Sequence, residues 1–318
     1  MIVLEGDEEA PGTTSSVVAI GVFDGLHLGH QQVLGDVRAL AQKNEMRATV
    51  VTFDPHPALV LAPDSAPLQL GTLDQRLEGF EALGIEQVRI LRFTTLQAQE
   101  SARSFVARVL VGQLRAHDVV VGEDFHFGHD REGNVPLLES EGHVHGFLVH
   151  PAPIYGGDQR WSSTAVRNAL GSGDLVSANA LLGRAFTLRG EVVHGDKRGG
   201  ELGFRTANMA LDVRQQLPEL GIYAGAAKTA PHTWWPAAIS VGTRPQFYDD
   251  GAVLVEVHMP GFSDDLYDTS LDVAFMARLR GEMTFASTQD LVAQIDLDVT
   301  KTLEIYKSFI PESSALLG

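Results

Sequence analysis

Cysteine is missing altogether from the 318 residues. Its absence excludes disulfides, thiolate nucleophiles and cysteine-ligated zinc or iron–sulfur centres, and it fits a reducing compartment. Positive charge is scarce too: 24 Lys and Arg stand against 41 Asp and Glu, a formal net charge of −17. Such a balance repels polynucleotide phosphates and anionic lipid surfaces, so neither nucleic acid nor a membrane is an expected partner. A small phosphorylated ligand is compatible with it, because a few local arginines and backbone amides suffice to hold one. Long hydrophobic runs are lacking as well, none approaching the roughly 18 apolar residues of a spanning helix. The opening MIVLEGDEEAPG has neither the basic start nor the apolar centre of an export signal. The expectation is a cytoplasmic protein; an oligomer is compatible with the sequence and not readable from it.

The rest of the composition, 44% hydrophobic and 20% charged, is that of a globular chain. Its length suits two domains. The first half alternates short apolar runs with amphipathic stretches. Strands are predicted at SVVAIGVF (16–23), RATVVTF (47–53), QVRILRF (87–93) and DVVVG (118–122). Helices are predicted at 31–44, where Val33, Leu34, Val37, Leu40 and Ala41 fall at helical spacing, at 73–84 and at 101–114. That alternation predicts an α/β domain, a Rossmann-like, doubly wound parallel sheet whose ligands sit beyond the C-terminal strand ends. After a helical stretch at 162–184 punctuated by Gly171 and Gly173, the pattern changes near residue 185. Short β-rich pieces separated by Gly, Pro and Asp turns follow, then a helix from about Thr288 to Phe309. They predict a small antiparallel β-barrel with a C-terminal helix, and domains at 1–184 and 185–318.

Two places carry chemistry. In GVFDGLHLGH (21–30) a strand runs into a glycine-rich turn and a helix start, an arrangement that offers backbone N–H groups and a positive dipole end to phosphate. His27 and His30, the ends of an H-x-G-H pattern, stand beside that site as phosphate contacts, as metal ligands or as polar core groups; the flanking glycines favour phosphate. Asp24 is either a turn cap or a group ordering the turn or a metal. In SSTAVRNAL, Ser163 and Thr164 precede a helix bearing Arg167, a second potential anion site that in other proteins is often only a helix cap.

Taken in order, GVFDGLHLGH, VTFDPHP, VVVGEDFHFGHDREGN and SSTAVRNAL resemble the nucleotidyltransferase half of the bacterial bifunctional riboflavin kinase/FMN adenylyltransferase family, the FAD synthetases. The resemblance continues through LRGEVVHGDKRGGELGFRTANM, GIYAG, ISVGTRPQF, VEVH, DLYD and VAFMARLRGEMTF, and spans residues 16–309. It implies phosphorylation of riboflavin to FMN in the second half and, in the first, transfer of an adenylyl group from ATP to FMN with release of pyrophosphate. Mg²⁺, ATP, riboflavin, FMN and FAD are the implied cofactor, substrates and products. The match assigns Gly21, Phe23, Asp24, Gly25, His27, His30, Ser163, Thr164 and Arg167 to ATP, and Asp54, His56, Pro57, Asp124 and Phe125 to the flavin side. The family often has Asn where Asp124 stands.

In the second half the resemblance implies a six-stranded barrel. Gly195, Asp196, Arg198 and Gly199 supply its nucleotide loop, Thr206 and Asn208 hold Mg²⁺ and phosphate, and Glu256 is the base for the ribityl hydroxyl. On spacing alone Glu256 is an outward strand residue. Two departures stand out: Arg205 replaces the proline before Thr-Ala-Asn, and RPQF replaces NPTF, which puts Arg244 and Gln246 in the loop. Losing the proline frees the backbone that presents Thr206, and two arginines add permanent charge beside a neutral ribityl chain. The kinase then works with a rearranged loop, is crippled, or takes a more anionic substrate. A nucleotidyl transfer to another phosphate and a flavin- or nucleotide-binding regulator without turnover are the more distant alternatives.

Overall fold

The computed structural model describes residues 1–6, 8, 10–157, 160–194, 204–231, 233–243 and 253–309. Gly195, Asp196, Arg198, Gly199, Arg244 and Gln246 lie outside them. By contact the chain forms two compact units, Met1–Pro67 with Leu73–Ser162, and Leu68–Thr72 with the described residues from Ser163 onward.

The first unit is the expected α/β layer structure. Strands β1 (Ile2–Glu5), β2 (Ser16–Ile20), β3 (Arg47–Asp54), β4 (Gln87–Arg92), β5 (Ala116–Gly122) and β6 (Leu148–Ala152) form one parallel sheet in the order β1-β4-β3-β2-β5-β6. Two of the six had no signal in the sequence. β1 is four residues in an acidic stretch, and β6, LVHPA, is largely unburied and carries a proline that only an edge strand tolerates. All five residues of β2 are buried, as a central parallel strand covered on both faces requires. Helices α1 (Leu28–Lys43), α2 (Pro57–Leu61), α3 (Leu73–Ala82), α4 (Ala102–Phe105) and α5 (Val135–His145) connect the strands, α4 running on as a π-helical segment over Val106–Gln113. Leu34, Val37 and Ala41 of α1 and Phe80 of α3 share a core with Val17, Ala19, Val50 and Val88. Each fully buried aliphatic or aromatic side chain of this kind contributes roughly 1.5–3 kcal/mol. The strand order turns back at β2, between β3 and β5, so the residues after Ile20 stand at the switch point where ligands bind such sheets. Asp118 of β5 is buried and gripped by two histidines, His117 Nδ1 at 2.8 Å and His150 Nε2 at 2.6 Å. Burial pushes its carboxyl up, but the two histidines outweigh that and hold it below the usual value.

In the second unit, β7 (Phe186–Val193), β8 (Ala207–Ala210), β9 (Gly221–Ala230), β10 (Thr233–Thr243), β11 (Val253–His258) and β12 (Ser270–Arg280) close a barrel in the order β10-β11-β8-β7-β12-β9. Four-residue β8 has no strand pattern of its own, although the family resemblance implies six strands. The stretch 162–184 is two helices, α6 (Ser163–Gly171) and α7 (Leu175–Leu182), broken at Gly173 with φ 73° and restarted by Asp174, whose side chain caps Ser177 N. Val166, Leu170, Leu175 and Leu182 are buried with Phe186, Leu188, Tyr223 and Phe275, so α6 and α7 share the barrel's core rather than the sheet's. Helix α8 (Thr288–Tyr306) follows, capped by Ser287 and tied down by Arg280 to Asp298 at 2.8 Å.

Candidate active sites

The turn after β2 is built under strain. Phe23 (φ 56°) and Leu26 (φ 43°) join Gly25 (φ 78°) in the left-handed region, where side chains with a Cβ are held only if their surroundings over-determine them. Those surroundings come from α3. The Phe23 ring meets Phe80 edge-on at 5.7 Å, and Leu26 fills the space above Gly79, where an added Cβ would lie 2.2 Å from Leu26 Cδ1. Gly21 carries no side chain because one would press on the Phe23 ring at 3.1 Å.

The turn delivers His27 to the N-cap of α1. Its Nδ1 accepts from the His30 backbone amide at 3.4 Å, and its ring stacks on His30 with centroids 3.6 Å apart and planes 23° from parallel. Gly29 leaves room for that stack, since a Cβ there would meet the His27 ring at 3.2 Å. An imidazole that accepts at Nδ1 carries, when neutral, its proton on Nε2. Rings stacked face to face carry their lone pairs in near-parallel planes, so they do not converge on one ion at the roughly 2.0–2.1 Å of a metal–imidazole bond. They do suit an anion at a helix N-terminus.

The other candidates also stand just past strand ends. After β3 comes a cis Asp54–Pro55 bond; His56 then caps α2, Nδ1 accepting from Ala58 N at 3.0 Å, and Pro57 opens the helix. After β5, Phe125 N closes a turn on Gly122 O at 2.9 Å; the exposed Asp124 pairs with Arg160 at 2.6 Å, and Phe125 stacks on Phe127 at 5.3 Å. In the second unit Ser163 opens α6, Thr164 is exposed, and Arg167 Nε donates to Leu68 O at 2.6 Å.

One residue of the first site escapes the sequence motifs. Arg76 of α3 is 6% exposed. Its Nη1 donates to Val22 O at 2.9 Å, Thr52 Oγ1 at 3.0 Å and Phe53 O at 3.3 Å, and its Nη2 lies 3.8 Å from Asp54. Burial lowers the pKa of the guanidinium, while the negative charges of Asp24 and Asp54 hold it up. The sequence does contain a signal: position 76 lies on the apolar stripe Leu73, Leu77, Phe80, where a charge is out of pattern unless it has partners inside.

In the barrel the candidates form a row on adjacent strands. Asn208 of β8 stands opposite Glu256 of β11, and Glu256 opposite Ser240 of β10. Directly paired residues bring their Cβ atoms to about 4.5–5.5 Å. Met209, Val255 and Val257 alternate with them into the core, which turns Asn208, Glu256 and Ser240 to the outer wall. Asn208 is nevertheless buried, and its Oδ1 has no hydrogen-bond partner among the described residues. A buried lone amide oxygen costs about 1–3 kcal/mol unless a ligand satisfies it. Thr206, half-buried, ends the segment leading into β8. The Arg205 side chain is exposed, and its carbonyl accepts from His258 Nδ1 at 2.8 Å.

A nucleotide-type α/β unit and a flavin-kinase-type barrel in one chain define a two-domain transferase class, and similarity to known proteins agrees. The family described as FAD synthetase matches residues 10–165 and that described as riboflavin kinase matches 182–306. The bifunctional riboflavin kinase/FMN adenylyltransferase of Pseudomonas fluorescens is 39% identical over 91% of this chain and 92% of its own. Those of Escherichia coli K12 (36%; 91% and 92%) and Bacillus subtilis 168 (31%; 92% and 93%) are similar over comparable spans. The chain belongs to the bifunctional riboflavin kinase/FMN adenylyltransferase family. A solved Streptococcus pneumoniae structure described as a macrolide-efflux protein shares the fold, with TM-score 0.82 and 29% identity over 95% of this chain and 99% of that one. Among the described residues no helix is long and apolar enough to cross a membrane.

Proposed function

We propose that the chain makes FMN from riboflavin in its barrel and FAD from FMN at the turn after β2, as the names of its relatives indicate for those proteins. The observation that carries the reading is the His27–His30 stack at the N-terminus of α1, at the switch point of a sheet whose family is FAD synthetase. In adenylyl transfer a phosphate oxygen of FMN attacks the α-phosphorus of ATP, the P–O bond to pyrophosphate breaks, and no covalent enzyme intermediate forms. Catalysis is then positioning and charge neutralisation. His27 and His30 face the ATP phosphates and Asp54, His56, Asp124 and Phe125 line the flavin side, while the family resemblance assigns Ser163, Thr164 and Arg167 to the pyrophosphate end. The functional division at 1–184 and 185–318 keeps α6 with this chemistry although its apolar face packs in the barrel's core.

In riboflavin phosphorylation Glu256 takes the proton of the ribityl 5′-hydroxyl as its oxygen attacks the γ-phosphorus of ATP, the bond to the bridging oxygen breaks, and ADP leaves. Thr206 and the buried, unsatisfied Asn208 Oδ1 are hard oxygen donors of the kind that share Mg²⁺ with substrate phosphates, and they fit that ion. When bound, Mg²⁺ supplies neutralisation of the phosphate charge that builds up during transfer. Arg205, exposed and anchored through its carbonyl to His258, favours a working kinase with a rearranged loop over a blocked one. The lack of cysteine fits a cytoplasmic setting, and the family's activities imply small-molecule partners.

Incubation with riboflavin, ATP and Mg²⁺, and separately with FMN, ATP and Mg²⁺, tests the reading. FMN and then FAD are expected in the first tube and FAD in the second. FAD from FMN without FMN from riboflavin would leave an adenylyltransferase whose barrel is inactive or serves a more anionic substrate, the reading that Arg205 would then carry.

A further inference from the structure

We propose that Arg76 is a positioning residue for adenylyl transfer, a polar clamp that fixes the ends of β2 and β3 so that His27 is held toward the ATP phosphates and Asp54 toward the flavin side. The inference rests on the function proposed above for the first unit. Arg76 comes from the helix behind the site, and its guanidinium reaches both strand ends at once. It donates to Val22 O in the turn that carries His27, to Phe53 O one residue before Asp54, and to Thr52 Oγ1, which itself donates to Val22 O at 3.1 Å. A planar fork can serve carbonyls of two chain segments simultaneously; an ammonium is a point charge without that geometry. The same cation lies 3.8 Å from Asp54 and feels the negative charge of Asp24, one carboxylate on each segment, and so offsets negative charge where two anionic substrates would meet.

The strain at Phe23 and Leu26 makes the clamp necessary. Left-handed backbone at two residues with side chains relaxes unless it is held, and α3 holds it by three contacts: Phe80 on Phe23, the Gly79 hollow under Leu26, and Arg76 on Val22 O. The first two are apolar and undirected. Arg76 is the directed one, adding to the Thr52 Oγ1–Val22 O and Gly21 N–Val51 O hydrogen bonds that join the turn to β3. Relaxation there would swing the His27 cap away from α1, and a 1 Å misplacement of a reacting group can cost on the order of 100-fold in rate.

The test compares Arg76→Met and Arg76→Lys with the unmodified protein. Three measurements are made on each full-length preparation: kcat and KM for FAD formation, riboflavin phosphorylation, and the ¹⁵N shifts of the His27 ring, which report its tautomer without turnover. For Arg76→Met, kcat for FAD formation falls on the order of 100-fold, KM for ATP moves less than about threefold, phosphorylation is kept, and the His27 proton no longer resides solely on Nε2. Arg76→Lys recovers about a tenth of kcat, since it keeps the charge but loses the fork. Unchanged kcat and His27 shifts in both variants would overturn the proposal, and so would a parallel fall of both activities, which marks a merely structural arginine. If Arg76→Met does not fold, Arg76→Lys alone decides by its kcat and its His27 shifts. An unmodified protein that makes no FAD would sink the proposed function, whereas the tautomer would still report whether Arg76 orients His27.

Discussion

In the first unit His27 and Asp24 stand on backbone that has left the sheet; in the second, Asn208 and Glu256 stand on the sheet itself. His27 and Asp24 occupy a turn whose shape depends on Phe80, Gly79 and Arg76 packed behind it. Asn208 and Glu256 occupy neighbouring strands, and their proximity follows from the β8–β11 register alone. A parallel sheet buries both faces and leaves only its strand ends for chemistry, whereas a closed antiparallel barrel has an outer wall that can carry a side-chain row. A turn site is therefore vulnerable through its packing, and a wall site through the few side chains that make it.

Four perturbations sharpen or break that contrast. The largest effect is expected for Glu256→Gln, where loss of a general base lowers riboflavin phosphorylation by about 10²–10⁴-fold. FAD formation from supplied FMN should not change, and a parallel loss there would tie the two sites together. His30→Ala removes half of the imidazole stack; FAD formation falls on the order of 100-fold, by analogy with the loss of one charge-stabilising donor, while phosphorylation persists. Unchanged FAD synthesis would return His30 to a packing role. Gly79→Ala touches no site residue, yet its methyl must displace Leu26, so overpacking destabilises the first unit by about 1–3 kcal/mol in denaturant unfolding and FAD formation falls with it. Wild-type stability and rate in that variant would show that the turn does not lean on α3.

The smallest effect concerns pH. The Asp118 carboxyl titrates lower in the fold than in the unfolded chain, because His117 and His150 outweigh its burial. Its contribution is complete above the ordinary carboxylate pKa of about 4 and is lost as pH falls through the lower folded value. Acid titration of unfolding should therefore be steeper for the unmodified protein than for Asp118→Asn. Identical slopes would remove the histidine pair from the account.

The fold was legible wherever the pattern was local. Central strands β2 to β5 and helices α1 and α3 announce themselves by apolar runs and helical spacing, and the barrel by short strands between turns. β1, β6, α5 and β8 stayed hidden because edge strands, a helix opening VPLLES and a four-residue strand carry too few buried residues to leave a period. The same distinction holds for the sites. His27 and His30 lie three residues apart and are readable as a motif; Arg76 serves Val22 of a turn 54 residues upstream, and only the fold brings it there. Glu256 was an ordinary outward residue by pattern, and its pairing with Asn208 across 48 positions comes from the register.

That register has an evolutionary consequence. A pair fixed by ladder hydrogen bonds is indifferent to how much chain is spent between its members, so the turns separating β8 from β11 can lengthen, shorten or take up new segments while Asn208 and Glu256 stay face to face. The seven residues from Gly21 to His27 have no such latitude. One extra residue there would turn His27 off the cap of α1, and variation within this family should therefore accumulate in the connections of the barrel and spare the span of the turn.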